Sequence, residues 1–291
     1  MRTGRWATLA LLCATACAGD GQRSAPMPPP PTTAPPSTAP FSPTTPAVPV
    51  PRSMAALGDS MTRAFLVCDL GDCPAGSWST GTFADVDSHA LRLERLAGRP
   101  VTAHNLAVSG ATVAGLPSQV ERAVAAKPGY VTILIGANDA CRSTPEAMTP
   151  VDEYAATFDR ALTALVRGLP KARVLVASIP DLHRLWEVGR DRREVVEVWE
   201  RYGVCGSMLS DARDTSPAAT ARRAAVRERV EAYNAAMAAA CREHATCRWD
   251  GGAVYGYRFT LGEVSPRDYW HPSRAGERAL SEVTWRAGYW S

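Results

Sequence analysis

Hydrophobic residues fall along this chain in short blocks separated by longer amphipathic stretches. Met54–Leu57, Val101–Asn105, Tyr130–Ile135 and Arg173–Ile179 are short, largely apolar runs that predict buried strands, with a weaker short one near Cys247–Trp249. Between them, Ser88–Ala97, Pro117–Ala126, Val151–Gly168, Glu194–Tyr202 and Ala218–Glu243 predict helices. A last helix is expected from Pro272, a residue suited to the first helical position, to Arg286. Strands that alternate with helices argue for a mostly parallel sheet covered on both faces, an α/β class fold in three α/β/α layers. No internal repeat interrupts this pattern.

The pattern starts only after residue 52. Residues 1–17 carry Arg2 and Arg5 and then the apolar run Trp6–Ala16, the form of a secretory signal and too short to span a bilayer as a stable helix. Two readings of its end stay open. Ala14-Thr15-Ala16 is a small-x-small cleavage site for ordinary secretion, whereas Cys17 directly after it resembles the lipid-modified cysteine of bacterial lipoproteins, with Ala14 where leucine is usual. The expected localisation is therefore secreted, or anchored through Cys17 to the outer face of the cell membrane. Residues 18–52 hold twelve prolines between Pro26 and Pro51, interleaved with Thr, Ser and Ala. This is an extended linker of polyproline type that would reach up to ~80 Å at ~3.1 Å per residue. Residues 53–291 remain as one folded domain, and a chain that is 46% hydrophobic can bury a sizeable core.

Charge narrows the partners. The 32 basic residues nearly balance 29 acidic ones and are scattered, so no stripe points to nucleic acid. Arg190–Arg193 and Arg222-Arg223 are expected on solvated helix faces, and the domain is expected to be a monomer. Of eight cysteines, Cys13 and Cys17 belong to the leader, and the even remainder in an exported chain implies disulfides. Six cysteines allow 15 connectivities. Spacing favours Cys68–Cys73 and Cys241–Cys247 as small local loops, which leaves Cys141–Cys205. A metal site is disfavoured, since no Cys-x-x-Cys and no pair of histidines at ligand spacing occurs.

The candidate chemistry lies where strands end. Gly58-Asp59-Ser60 follows the first run; Gly58 breaks it, and Asp59 and Ser60 are helix starters, so a strand, a tight turn and a helix are expected. Ser60 then stands at the carboxyl edge of a strand, where open α/β sheets place ligands. Read alone, the tripeptide is an ordinary turn. Asp268-Tyr269-Trp270-His271 adds a carboxylate three residues from an imidazole, a spacing that lets the acid orient the base. Asn105-Leu106-Ala107-Val108-Ser109-Gly110 and Gly136-Ala137-Asn138-Asp139 follow two more strand runs and bring hydrogen-bond donors to the same edge. The other histidines, His89, His104, His183 and His244, have no such context and are expected to be structural or exposed. Asp59 and Asp139 are expected to cap turns, and Asn105 to brace the Gly110 loop.

With these four motifs in this order, residues 53–288 resemble the SGNH (GDSL-type) hydrolases, and in particular secreted actinobacterial esterases and lipases. The resemblance implies Ser60 as nucleophile, His271 as base, Asp268 as its orienting acid, and an oxyanion hole from the backbone N–H groups of Ser60 and Gly110 and the amide of Asn138. It implies no cofactor and no metal, a small ester or lipid substrate, and cysteines paired with neighbours along the chain. One departure is Ala64, where the family often has glycine; it would narrow the space beside the nucleophile. Gly-x-Ser-x-Gly is absent, which argues against an α/β-hydrolase elbow, and no opposed carboxylate pair suggests a glycosidase. Within the enzyme class the alternative is a carbohydrate O-acetyl esterase or acyltransferase; outside it, a non-catalytic cell-surface binding module. Trp186, Trp199 and above all Trp270 are candidates to line the substrate pocket, and Trp78-Ser79-Thr80-Gly81 to shape its mouth.

Overall fold

The structure, a computed structural model, describes residues 48–291. The expected signal sequence, Cys17 and most of the linker lie outside the described residues. Five strands, β1 (Ser53–Gly58), β2 (Thr102–Asn105), β3 (Tyr130–Leu134), β4 (Arg173–Val176) and β5 (Cys247–Trp249), form one sheet in the order β2-β1-β3-β4-β5. Every pairing is parallel. The weak Cys247–Trp249 run is thus a real strand at the sheet edge, short because only three residues reach β4.

Among the described residues ten α-helices connect and cover the sheet: α1 (His89–Ala97), α2 (Leu116–Ala126), α3 (Ala137–Ala140), α4 (Val151–Gly168), α5 (Leu182–Gly189), α6 (Arg193–Tyr202), α7 (Gly206–Leu209), α8 (Pro217–Arg242), α9 (Ala253–Gly256) and α10 (Arg274–Arg286). Strand residues alternate between the two sides. Val174 and Val176 join the large core with Leu162 and Leu165 of α4 and Val226 and Val230 of α8, whereas Leu175 joins a smaller core with Leu93 of α1 and Trp285 of α10. Helices on both faces complete the three layers. His89 is structural: it is fully buried between Tyr130 Oη (3.0 Å) and Thr284 Oγ1 (2.8 Å). Burial pushes its pKa down to about 3, which keeps it neutral.

Four local expectations are corrected. The stretch after Ser60 is a series of turns, not a helix, because Ala64 (φ 52°) and Leu66 (φ 63°) take left-handed conformations that no helix continues. The consequence of Ala64 is therefore conformational rather than steric. A left-handed alanine costs about 1–2 kcal/mol, and its fully buried methyl returns somewhat under 1 kcal/mol, which makes alanine tolerable where glycine is usual. The last helix is opened by Ser273, whose side chain accepts from Gly276 N, so Pro272 stands before the cap and bridges to Val264. Arg223 is not solvated but buried. Its guanidinium donates to the carbonyls of Met208 (3.3 Å), Asp214 (2.8 Å) and Asp211 (2.8 Å), and so ties α8 to α7 and the segment that follows it. α5, capped by Asp181, was not foreseen; its eight residues are shorter than the window over which a helical period can be counted.

The pairs Cys68–Cys73, Cys141–Cys205 and Cys241–Cys247 are bonded. The chain-entropy relation ranks them by loop length: separations of 5 and 6 residues give about 2 kcal/mol each, and the separation of 64 gives about 4 kcal/mol. Replacing Cys141 and Cys205 together by serine should lower the melting temperature by about 10 °C, and either local pair by roughly half as much. Equal losses for all three pairs in a thermal melt would refute that ranking.

Candidate active site

The site is assembled by strand order. β1 lies between β2 and β3, so the loop after β1 that carries Ser60 is flanked by the loop after β2, with Gly110, and the start of α3, with Asn138. This is also the point at which the chain switches from one side of β1 to the other, where open parallel sheets leave a crevice. Gly58 permits the close approach. A side chain there would meet Leu134 O at 2.1 Å, and its φ of 144° suits glycine alone.

Around the nucleophile turn the backbone is braced by buried polar groups. Gln119 of α2, fully buried, grips Gly58 twice: Gly58 N donates to its Oε1 (2.8 Å) and its Nε2 donates to Gly58 O (2.9 Å). Asn105 donates to Thr62 O (2.8 Å) and Thr80 Oγ1 (2.9 Å), so it braces the Ser60 turn rather than the Gly110 loop. The Gly110 loop is held instead through Ser109, which bonds to Asp72, itself paired with Arg63 at 2.9 Å. Asp59 accepts from Met61 N (3.0 Å), and Asp139 accepts from Val113 N (2.9 Å) and Thr149 Oγ1 (2.8 Å), the turn-fixing roles expected of them. Sequence reading missed Gln119, and the only signal for it is a polar residue on the apolar side of α2.

His271 comes to Ser60 across 211 residues. Its Nε2 lies 2.8 Å from Ser60 Oγ, and its Nδ1 lies 2.6 Å from Asp268 Oδ2. The tautomer that satisfies both contacts carries its proton on Nδ1, donated to the carboxylate, and accepts the serine proton at Nε2. The second carboxylate oxygen accepts from Trp270 N (3.0 Å) and His271 N (3.2 Å), so the backbone of the turn fixes the acid. The turn is anchored from outside by Ser265 N to His271 O (2.7 Å) and by the buried Trp199, whose Nε1 donates to Tyr269 O (3.0 Å). Trp199 therefore supports the turn and lines no pocket. Trp186 likewise faces away, with its Nε1 on Ala212 O (2.8 Å) and the guanidiniums of Arg190 and Arg223 over its ring at 4.4 and 4.5 Å. Trp78-Ser79-Thr80-Gly81 is interior and shapes no mouth; Trp78 N is held by Glu277 at 2.8 Å.

The loops that flank Ser60 carry hydrogen-bond donors with capacity to spare. Among the described residues the N–H groups of Ser60 and Gly110 have no hydrogen-bond partner, and Asn138 Nδ2 spends one of its two protons on Ala111 O (2.9 Å). Gly110 stands at φ 79° with open space where a side chain would be, so glycine is required there for backbone conformation. Beside Ser60 lies a pocket of about 60 Å³ with walls from Met61, Leu182, Leu185, Phe259, Val264 and Leu280. Trp270 and Asn138 separate it from an open groove of about 650 Å³ on the His271 side.

Burial also builds charge tension under the nucleophile. Asp59, 1% exposed, is pushed up to about 7 by burial and further by Asp139, which burial raises to about 6; burial holds Glu277 well above the carboxylate range. A proton kept to about pH 7 in the fold but released near pH 4 when unfolded makes the sign clear. The folded state is favoured fully below pH 4 and loses that advantage up to pH 7, by about 4 kcal/mol for Asp59. Asp59→Asn keeps the acceptor for Met61 N, so its melting temperature should gain on the wild type as pH rises from about 5 to about 8. Parallel pH curves for the two proteins would refute the buried acid.

A three-layer α/β/α fold with serine, imidazole and carboxylate in line at the carboxyl edge of its sheet is the arrangement expected of a GDSL/SGNH-type hydrolase. The chain belongs to the GDSL-like lipase/acylhydrolase family, whose model matches residues 56–279, and is thus a carboxylic ester hydrolase. Among solved structures it is similar to LAE5, an alpha/beta hydrolase from the metagenome of Lake Arreo, Spain, at 19% identity over 81% of this chain and 94% of that one, TM-score 0.51. It is also similar to a catalytic mutant of Axe2, an acetylxylan esterase from Geobacillus stearothermophilus, at 17% identity over 81% and 93% of the two chains, TM-score 0.50. At these identities the likeness is one of fold. The search of curated proteins returned no match.

Proposed function

We propose that this chain is an exported serine esterase acting on esters with short acyl groups. The observation that carries the reading is the unbroken line from Asp268 through His271 to Ser60, with contacts of 2.6 and 2.8 Å. Ser60 Oγ attacks the carbonyl carbon as its proton passes to His271 Nε2, and Asp268 steadies the imidazolium. The oxyanion is received by the Ser60 and Gly110 N–H groups and the free proton of Asn138 Nδ2; one such donor is typically worth ~10²–10³ in turnover. The tetrahedral species collapses, the alkoxide leaves with the proton from His271, and water activated by the same base releases the acid and restores Ser60.

The pocket beside Ser60 supports a short acyl group. It is the smaller of the two spaces that meet at Ser60, about 60 Å³ against about 650 Å³ for the groove. Its largely apolar walls favour an aliphatic acyl group, and this weighs against a polar sugar-reading pocket, though not against acetyl transfer to or from a sugar on the groove side. Residues 1–17 serve as signal, 18–52 as linker and 53–291 as the catalytic domain, with the export signal, the even cysteine set and the three bonded pairs all supporting a place outside the cytoplasm.

On p-nitrophenyl esters from acetate to palmitate, kcat/KM should peak between acetate and butyrate and fall by more than about tenfold toward palmitate. A long-chain optimum would overturn the short-acyl reading. Failure on every ester, together with no labelling of Ser60 by a fluorophosphonate, would overturn the esterase reading and leave a binding module.

A further inference from the structure

The esterase reading leaves one large feature of the site without a role. The groove on the far side of Trp270 and Asn138 is lined by Phe65, Leu70, Tyr202 and Val204 and ends against His271. Its volume, about 650 Å³, is some tenfold that of the pocket beside Ser60. Leu70 is 82% exposed and Tyr202 64%, the two most exposed large hydrophobic residues of the described chain. Both stand on short, cross-linked segments. Leu70 sits inside the Cys68–Cys73 loop, and Tyr202 ends α6 just before Cys205, which is bonded to Cys141 beside α3. Apolar side chains held out to solvent by such anchors mark a surface kept for contact with an apolar partner.

The direction of proton transfer says which partner. The group that departs takes its proton from His271 Nε2, so its oxygen must lie on the histidine side of Ser60. His271 and Asp268 line the groove and do not line the small pocket. The acyl group and the alcohol are thereby assigned to rooms of very different size. We infer that the groove is the leaving-alcohol subsite and that the enzyme acts on short-chain esters of bulky, apolar or aromatic alcohols, with Leu70 and Tyr202 setting that preference. The inference rests on the esterase reading and deepens it. Phe65, whose ring centroid lies 4.8 Å from that of His271, forms the inner wall where the first carbons of the alcohol would pass.

The test holds the acyl group and the leaving-group acidity constant. The acetates of ethanol, benzyl alcohol and 2-naphthylmethanol have alcohols of similar acidity and increasing apolar area. Wild-type kcat/KM should rise along that series by about tenfold or more, and the Leu70→Ser/Tyr202→Ser double variant should reduce the naphthylmethyl-to-ethyl ratio by about tenfold. Equal turnover of the three acetates by the wild type would overturn the assignment while leaving the esterase reading intact. A ratio unchanged by the double variant would remove Leu70 and Tyr202 from it. Wild-type turnover indifferent to the alcohol, combined with binding to phosphatidylcholine vesicles that the double variant loses, would reassign the patch to a lipid surface. No turnover of any acetate would overturn both readings together.

Discussion

Replacing Ser60 by alanine is expected to lower kcat on a short-chain ester by about 10⁶. The substitution removes the atom that forms the acyl-enzyme, and nothing else in the site can take its place. Met61 and Ala137 beside it carry no nucleophile, and Asp59, the nearest carboxylate, has Oδ1 committed to Met61 N. The residual rate would be that of a water placed by His271 against the remaining donors, typically ~10³–10⁴ above the uncatalysed reaction. Because Ser60 Oγ makes one hydrogen bond, to His271, the fold should be indifferent and the melting temperature should stay within about 2 °C of wild type. A variant that keeps more than about 1% of wild-type kcat, with the protein shown free of wild-type contamination, would sink Ser60 as nucleophile.

Asp268→Asn should cost about 10⁴ in kcat with little change in KM, and the structure explains why so small a change is so costly. Asp268 Oδ1 already accepts two backbone N–H groups, from Trp270 and His271. An asparagine would keep its carbonyl oxygen there, since an NH₂ group cannot accept, and would place its NH₂ against His271 Nδ1. Nδ1 would then have to accept, the ring proton would move to Nε2, and Nε2 would face Ser60 unable to take its proton. Geometry would survive while chemistry failed, so melting temperature is again expected to hold. A loss below about tenfold would mean that the carboxylate neither sets the tautomer nor steadies the imidazolium.

The two substitutions separate parts of the site that were legible to different degrees. Ser60, His271, Asp268, Gly110 and Asn138 could all be named from short motifs, because each motif couples a backbone event with the residue that exploits it: an apolar run stopped by Gly58, a strand run leading into Gly136, an acid three residues before an imidazole. The two local cysteine pairs were favoured by their spacing, since short loops close at little entropic cost, and Cys141–Cys205 followed only as the remainder. What failed were statements about side-chain environment. Arg223, beside Arg222 on an Ala/Arg/Glu-rich helix, read as solvated, yet three carbonyls receive its guanidinium in the interior. Trp186 and Trp199 read as pocket residues and Trp78 as part of the pocket's mouth, yet each is used to pack or to hold backbone, and of the four candidate tryptophans Trp270 alone reaches the site.

The sequence by itself determined the alternation of strands and helices, the carboxyl-edge placement of the reactive residues and the chemical types present, because these depend on apolar runs and turn residues within a few positions of one another. Tertiary structure decided the rest. Only the sheet order sets β1 between β2 and β3 and so puts the Ser60 loop between the loops of Gly110 and Asn138. Only packing brings Gln119 to Gly58 from 61 residues away, and only packing divides the crevice into a room of about 60 Å³ and another of about 650 Å³. The physical reason is the range of the forces: backbone preference and amphipathic period act locally and leave their mark in neighbouring residues, whereas strand pairing and the satisfaction of buried polar groups are settled between segments whose meeting no local pattern records.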